Sequence, residues 1–131
     1  MTRVLDASVV VAALIDTGPD GHWAEAELLG VPLAAPHLLP VEVASILRRV
    51  ARAGHITDDV AALAHRDLLR LPIEFFPYEP VASRAWSLRA NLTSYDAWYV
   101  GLAELLDAPL STLDRRLSRA TGPQCVFRTP P

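Results

Sequence analysis

Four carboxylates in this 131-residue chain fall where an α/β protein can use them: Asp6, Glu42, Asp96 and Asp114. Asp6 follows the run Arg3-Val4-Leu5, and Asp114 follows Leu110-Ser111-Thr112-Leu113; both runs read as strands. Glu42 lies in the first turn of a helix opened by Pro40, and Asp96 in the first turn after Thr93-Ser94. In open α/β sheets, ligands bind beyond the carboxyl ends of the strands, where the chain turns into helices. Asp6 and Asp114 occupy that rim directly, and Glu42 and Asp96 can lean over it from helix N-termini. Singly, each has a structural explanation. Asp is a preferred N-cap, and an acid near a helix N-terminus complements its dipole for about 0.3–1 kcal/mol. Jointly they ask for more. Glu42 has Leu39, Val41, Val43 and Ile46 around it, and Asp96 has Tyr95, Ala97, Trp98 and Tyr99. Acids in such settings are seldom buried unless paired or coordinating something. A carboxylate cluster without cations repels itself and partly protonates.

The chain has no lysine to neutralise such a cluster; its twelve basic residues are all arginine. A divalent metal is the economical answer. The one cysteine, Cys125, excludes a thiolate-rich site and reads as a small buried hydrophobe in a C-terminal strand. The four histidines (His22, His37, His55 and His65) have no metal-binding spacing. Carboxylate-only ligation then favours Mg²⁺ or Mn²⁺ over Zn²⁺. Mg²⁺ keeps several waters and completes its shell with phosphate oxygens, which points to phosphoryl chemistry. Ser8 and Thr112, each near an acid, are hydroxyls suited to orient a carboxylate or a water. Equally, they fit an ordinary helix-cap serine and strand threonine.

Those positions need a scaffold. Short apolar runs at 3–5, 32–36, 73–76, 110–113 and 126–127 alternate with helical patterns at 8–15, 22–29, 40–53, 57–71, 80–92, 95–106 and 114–120. Between the first two helical patterns, Gly18-Pro19-Asp20-Gly21 reads as a loop. Such alternation favours an α/β fold with a parallel sheet. With 51% apolar residues the chain can build one core, and no linker or repeat divides it. The helices from Pro40 and Thr57 carry more apolar residues than one face needs (Val43, Ile46, Leu47, Val50; Val60, Leu63, Leu68, Leu69), which suggests a partner surface. The apolar run Ala7 to Ile15 is too short for a bilayer, which needs about 20 residues. It also lacks a basic leader, so the expectation is a cytoplasmic protein with no membrane contact. A net charge of −3 is unusual for a nucleic-acid binder, but a bound cation would offset several of the acids.

Four blocks resemble the PIN domain of VapC toxins, the toxin half of VapBC toxin–antitoxin pairs. They are Val4-Leu5-Asp6-Ala7-Ser8, Leu39-Pro40-Val41-Glu42-Val43, Ser94-Tyr95-Asp96-Ala97 and Leu110-Ser111-Thr112-Leu113-Asp114-Arg115-Arg116-Leu117. Their order, spacing and the total length agree, and the resemblance covers nearly the whole chain. It implies a single PIN domain over residues 1–131, a three-layer α/β/α sandwich around a mostly parallel sheet of about five strands. It also implies Mg²⁺- or Mn²⁺-dependent endonucleolytic cleavage of RNA, with Asp6, Glu42, Asp96 and Asp114 as the acidic cluster. Dimerisation is implied, as is inhibition by a VapB-type antitoxin whose C-terminal segment wraps the toxin and blocks the acidic pocket. With RNA as substrate, Arg115 and Arg116 beside Asp114 become candidates for holding it. The stripe Arg48, Arg49 and Arg52 fits a solvated helix end, with phosphate tracking along RNA as the alternative. Two departures stand out: Ser8 replaces a frequent threonine, and Trp98-Tyr99 follows Ala97 where the family often has small or aliphatic residues. Rival enzymes are excluded by missing parts. There is no P-loop, and phospho-acceptor α/β domains depend on a lysine. The chain is too short for the extra helical elements of DNA-cleaving relatives. The alternative is a non-catalytic PIN-like RNA- or protein-binding module, whose mark would be a missing acid; none is missing.

Overall fold

The computed structural model describes residues 1–131. Its sheet is built from five short strands: β1 (Arg3–Leu5), β2 (Leu33–Pro36), β3 (Ile73–Phe76), β4 (Leu110–Ser111) and β5 (Phe127–Arg128). Their spatial order is β3-β2-β1-β4-β5, and every neighbouring pair is parallel. Central strands of such a sheet are covered on both faces and so are apolar throughout. Accordingly Val4, Leu5, Ala34, Ala35 and Leu110 are all buried. Seven helices flank the sheet: α1 (Ala7–Ile15), α2 (Pro19–Glu27), α3 (Leu39–Arg52), α4 (Asp58–Leu68), α5 (Ala82–Ser87), α6 (Ser94–Leu105) and α7 (Arg115–Ser118). Helices α2, α3 and α4 pack around α1, whereas α6 packs with α5 and lies on β1, β2 and β4. The result is a three-layer α/β/α sandwich.

The topology fixes where a ligand can sit. The chain steps outward from β1 through β2 to β3, then crosses back to place β4 on the other side of β1. That reversal opens a crevice at the carboxyl ends of β1 and β4, the usual ligand position in open α/β sheets. Asp6 ends β1 there, and its amide donates to the Ser111 carbonyl at 3.0 Å, pinning the two strand ends together.

Several elements differ from the sequence expectation. Helix α2 starts at Pro19, three residues early, because proline's fixed φ suits the first helical position. Gly21 lies within that helix, where a Cβ would come 1.8 Å from the Asp16 carbonyl oxygen; only glycine lets α2 turn so tightly against the end of α1. The helix expected over 80–92 shortens to a 3₁₀ turn (Glu79–Val81) followed by α5 and further turns. Ser87 Oγ donates back to the Arg84 carbonyl at 2.6 Å, offering the backbone a local alternative. Strand β4 stops two residues short of 113. The Leu113 amide goes to Ser8 Oγ and the Asp114 amide to Thr112 Oγ1, so side chains replace the ladder. Strand β5 begins one residue later than expected, leaving Cys125 half-buried ahead of it.

Amphipathic packing accounts for the rest. On α3 the buried stripe is Leu39, Val43 and Leu47, at helical spacing, while Arg48, Arg49 and Arg52 are exposed. Helix α4 is capped by Thr57, whose hydroxyl accepts from the Val60 amide at 3.1 Å. It buries Ala64 and Leu68 but leaves Val60, Leu63 and Leu69 in solvent. The apolar surplus on α3 and α4 thus divides into a half-buried set (Ile46, Val50) and an exposed one.

Candidate functional site

The four carboxylates reach the strand-end rim from four separate elements. Asp6 is the most enclosed, with only 9% of its surface exposed. It occupies the N-cap position of α1 yet makes no side-chain cap hydrogen bond. Instead its Oδ2 accepts from Thr112 Oγ1 at 2.7 Å and from Ser8 Oγ at 3.0 Å. Both hydroxyls have a second task, since each accepts an amide of the turn between β4 and α7. Ser8 and Thr112 therefore lock the Asp6 carboxylate to the segment that carries Asp114.

Asp114 caps α7, its Oδ1 accepting from the amides of Arg116 at 2.9 Å and Leu117 at 3.3 Å. The capping explanation therefore holds for Asp114, while its other oxygen is left for the cleft. Asp96 is held by its backbone, because the Thr93 hydroxyl caps α6 and accepts the Asp96 amide at 3.1 Å. Glu42, half-buried on the first turn of α3, accepts from Tyr99 Oη at 2.6 Å through Oε1. Tyr99 is 1% exposed, so the aromatic pair after Ala97 has two distinct fates. Tyr99 enters the core, and Trp98 packs edge-on against Tyr78 with centroids 5.3 Å apart.

Electrostatically the cluster meets little compensation beyond the exposed Arg116. Burial pushes the Asp6 carboxyl above its usual range, despite the hydrogen bonds from Thr112 and Ser8, and the charge of Asp114 adds to the rise. Burial likewise raises Glu42, with Tyr99 opposing and the charges of Asp6 and Asp96 reinforcing. Asp96 rises through burial and then the charges of Asp6 and Asp114. The only arginine paired with any of the four is Arg116, whose Nε lies 3.9 Å from Asp114 Oδ1 while its side chain is 96% exposed. Arg115 is spent elsewhere, its guanidinium donating to the Pro130 carbonyl at 3.1 Å. Asp96, Asp114 and Arg116 line a cleft of about 210 Å³, walled by Leu92, Thr93 and Leu117.

The donor set fits a hard divalent cation. Oxygen ligands, mutual repulsion and no neutralising cation in contact with Asp6, Glu42 or Asp96 are the conditions such an ion relieves. No three Asp, Glu, His or Cys side chains already close into a cage. Glu42 Oε1 and Asp114 Oδ1 are occupied by Tyr99 and the α7 amides. Mg²⁺ does not require a cage, since it is commonly held by one or two carboxylates with waters and phosphate completing the shell.

A second buried acid escaped the sequence reading. Glu27, at the end of α2, is 4% exposed. It accepts from Ser111 Oγ at 2.6 Å and from Arg128 Nε and Nη2 at 2.8 and 3.0 Å, and Arg3 Nε lies 3.7 Å away. Burial alone would raise its pKa, but Arg128, Ser111 and Arg3 together bring it below the ordinary glutamate range. The signal was present: Gly21, Ala24 and Glu27 share the inward stripe of α2. Tyr99, the other residue not anticipated at the site, lies one turn beyond Asp96.

Comparison with known proteins converges on one family. The PIN domain family model matches residues 3–123. Ribonuclease VapC9 of Mycobacterium tuberculosis is 39% identical over 128 residues, covering 98% of both chains. Ribonuclease VapC1 of the same organism is 40% identical over 126 residues, covering 95% of each. Among solved structures, VapBC2 from Rickettsia felis bound to a DNA fragment from their promoter superposes with a TM-score of 0.70. It is 16% identical, and the match covers 98% of both chains. Mycobacterium tuberculosis VapC20, a Sarcin-Ricin loop cleaving toxin, has a TM-score of 0.68 at 14% identity, covering 88% of this chain and 92% of that one. These last two support the fold.

Proposed function

The chain belongs to the VapC family of PIN-domain proteins, and from that premise we propose that it is a toxin endoribonuclease whose single PIN domain spans residues 1–131. The observation that supports this reading is that Asp6, Glu42, Asp96 and Asp114 lie near enough to raise one another through their charges, with Asp6 buried and held by the hydroxyls of Ser8 and Thr112. Asp6 and Asp96, with Glu42 and Asp114 beside them, are the residues that would hold Mg²⁺ or Mn²⁺. Such an ion supplies positive charge at the phosphate and makes a neighbouring water more acidic. The chain's own residues do the rest. Ser8 and Thr112 keep the Asp6 carboxylate in one orientation, which spares that ordering cost when substrate arrives. Glu42, on the first turn of α3 with one carboxylate oxygen held by Tyr99, has its other oxygen to accept the proton a water loses as its oxygen bonds to phosphorus. The P–O bond to the leaving ribose oxygen then breaks, and that oxygen takes up a proton. Arg116, 96% exposed and lining the cleft, would meet a flanking phosphate. Arg115 shares that role less well because it is tied to Pro130.

Partners follow the same reading. A groove of about 540 Å³ between α1, α3 and the turn before α4, lined by Val11, Ile15, Ile46, Val50 and Ile56, reaches Ser8 and Leu113 at the edge of the site. Its apolar lining suits a helical segment of a VapB-type antitoxin that ends over the acidic cluster. The exposed Val60, Leu63 and Leu69 supply a surface for a homodimer. RNA as substrate implies action in the cytoplasm, and no helix is long and apolar enough to cross a membrane.

The test is cleavage of purified total RNA by the isolated protein with Mg²⁺ or Mn²⁺ and with EDTA, beside an Asp6→Ala/Asp96→Ala variant. Discrete fragments that require the metal and vanish in the variant are expected. RNA binding without cleavage by folded, metal-loaded protein would favour a non-catalytic module instead.

A further inference from the structure

Glu42 has the longest side chain of the four acids. It carries three side-chain torsions, stands half in solvent on the first turn of α3, and is repelled by Asp6 and Asp96. Left alone, a glutamate so placed swings outward, because water solvates it and its neighbours push it away. One contact opposes that. The Tyr99 phenol, buried in the core and rigid there, donates to Glu42 Oε1 at 2.6 Å. A hydrogen bond to an ionised acceptor at this distance is of the strong, charge-assisted kind.

We propose that Tyr99 is a positioning residue for the acidic cluster. Its hydroxyl holds the Glu42 carboxylate inward against the repulsion of Asp6 and Asp96, so that the second carboxylate oxygen stays at the crevice. The proposal rests on the reading of the cluster as a metal-dependent site given above. Three features carry it. Tyr99 follows Asp96 by one helical turn, so one helix, fixed at its start by Thr93, sets both the third acid and the holder of the second. Helices α3 and α6 belong to different layers, α3 packing with α1 and α4 and α6 lying on β1, β2 and β4; the bond ties those layers together at the rim. Finally, the phenol has a single proton and gives it to Oε1, which leaves the other oxygen of Glu42 for a metal-bound water or the metal itself. The arrangement parallels the way Ser8 and Thr112 hold Asp6.

The experiment is Mn²⁺ titration of the metal-free protein followed by electron paramagnetic resonance, with no RNA present, on wild type, Tyr99→Phe, Glu42→Gln and the double variant. Tyr99→Phe keeps the buried ring and removes only the hydroxyl. It is expected to weaken Mn²⁺ binding by about 10-fold, the low end for loss of an outer partner of a metal ligand, with little change in urea midpoint. Glu42→Gln is expected to weaken binding at least as much, and the double variant no further than Glu42→Gln. Glu42→Asp retracts the carboxylate from the phenol without touching the core, and should reproduce the Tyr99→Phe loss. Wild-type affinity in Tyr99→Phe alongside a loss in Glu42→Gln would overturn the role of Tyr99 and leave the cluster intact. Unchanged affinity in Glu42→Gln would overturn both. Losses that add in the double variant would also overturn the proposal, because Tyr99 would then act by another route.

Discussion

Asp6 and Glu27 are buried almost equally, and consecutive residues at the end of β4 serve them: Thr112 donates to Asp6 and Ser111 to Glu27. They differ in what else they meet. Glu27 receives a two-pronged guanidinium from Arg128 and the nearby charge of Arg3, and its pKa falls. Asp6 receives only a second hydroxyl instead of a cation, so burial, with the charge of Asp114 behind it, raises its pKa. Burial of a carboxylate therefore does not identify a site. A buried carboxylate left without a cation of the chain marks a candidate site, because an external cation relieves its cost. Glu27 closes the sheet by tying α2 to β1, β4 and the edge strand β5, whereas Asp6 meets no cation of the chain and is the acid proposed to meet a metal.

The sharpest way to break this contrast is to neutralise each acid in turn. Asp6→Asn should lower RNA cleavage by about a thousandfold, the scale seen when a charge-stabilising group is lost from a reaction centre. It should leave stability in EDTA unchanged or higher, since an uncompensated buried charge has gone. Initial cleavage rates and urea melts check the two halves. Glu27→Ala should do the reverse. Losing one partner of a buried pair costs about 3–5 kcal/mol; because Arg128 is 44% exposed, the lower end of that range applies here. Urea unfolding measures the loss, and cleavage per folded molecule should stay close to wild type.

Metal addition sharpens the comparison further. A saturating divalent ion stabilises the folded state through linkage, by about 2.7 kcal/mol at 100 times the dissociation constant. Mg²⁺ or Mn²⁺ should therefore raise the melting temperature of wild type and of Glu27→Gln, but not that of Asp6→Asn.

The pH dependence carries opposite signs at the two acids. The lowered Glu27 contributes stability that is present above the ordinary glutamate value of 4.5 and lost as pH falls through its folded value. The raised Asp6 carries a penalty at neutral pH that protonation relieves as pH falls through its folded value toward 3.8. In EDTA, the deficit of Glu27→Gln should thus shrink on acidification below 4.5, and the advantage of Asp6→Asn should shrink as well. Melting curves across pH 3–8 follow both. The smallest effect belongs to the rim: Arg116→Gln should weaken RNA binding a few-fold and reduce its salt slope by about one, as expected for a single phosphate contact.

Much of this was legible in the sequence because it rests on local rules. The strand runs at 3–5 and 73–76 and the helix starts at Thr57 and at Thr93-Ser94 depend on residues close in the chain, and they appear where expected. So did the positions of the four acids relative to strand ends and helix starts. What was illegible depends on partners far away. Glu27 meets Ser111 across 84 residues and Arg128 across 101, and Tyr99 meets Glu42 across 57. No local pattern encodes such pairings. The early start of α2 was missed for the opposite reason. Gly18-Pro19-Asp20-Gly21 carries strong turn chemistry, yet proline's helix-opening role and the tight approach of Gly21 to Asp16 prevail there.

The most direct test of the central claim is anomalous diffraction from crystals of the protein soaked in Mn²⁺, collected beside crystals of Asp6→Asn. An Mn²⁺ peak is expected at the crevice in contact with Asp6 and Asp96, with none beside Glu27 and loss of the peak in the variant. A peak that persists unchanged in Asp6→Asn, or metal found only away from the four acids, would contradict that claim.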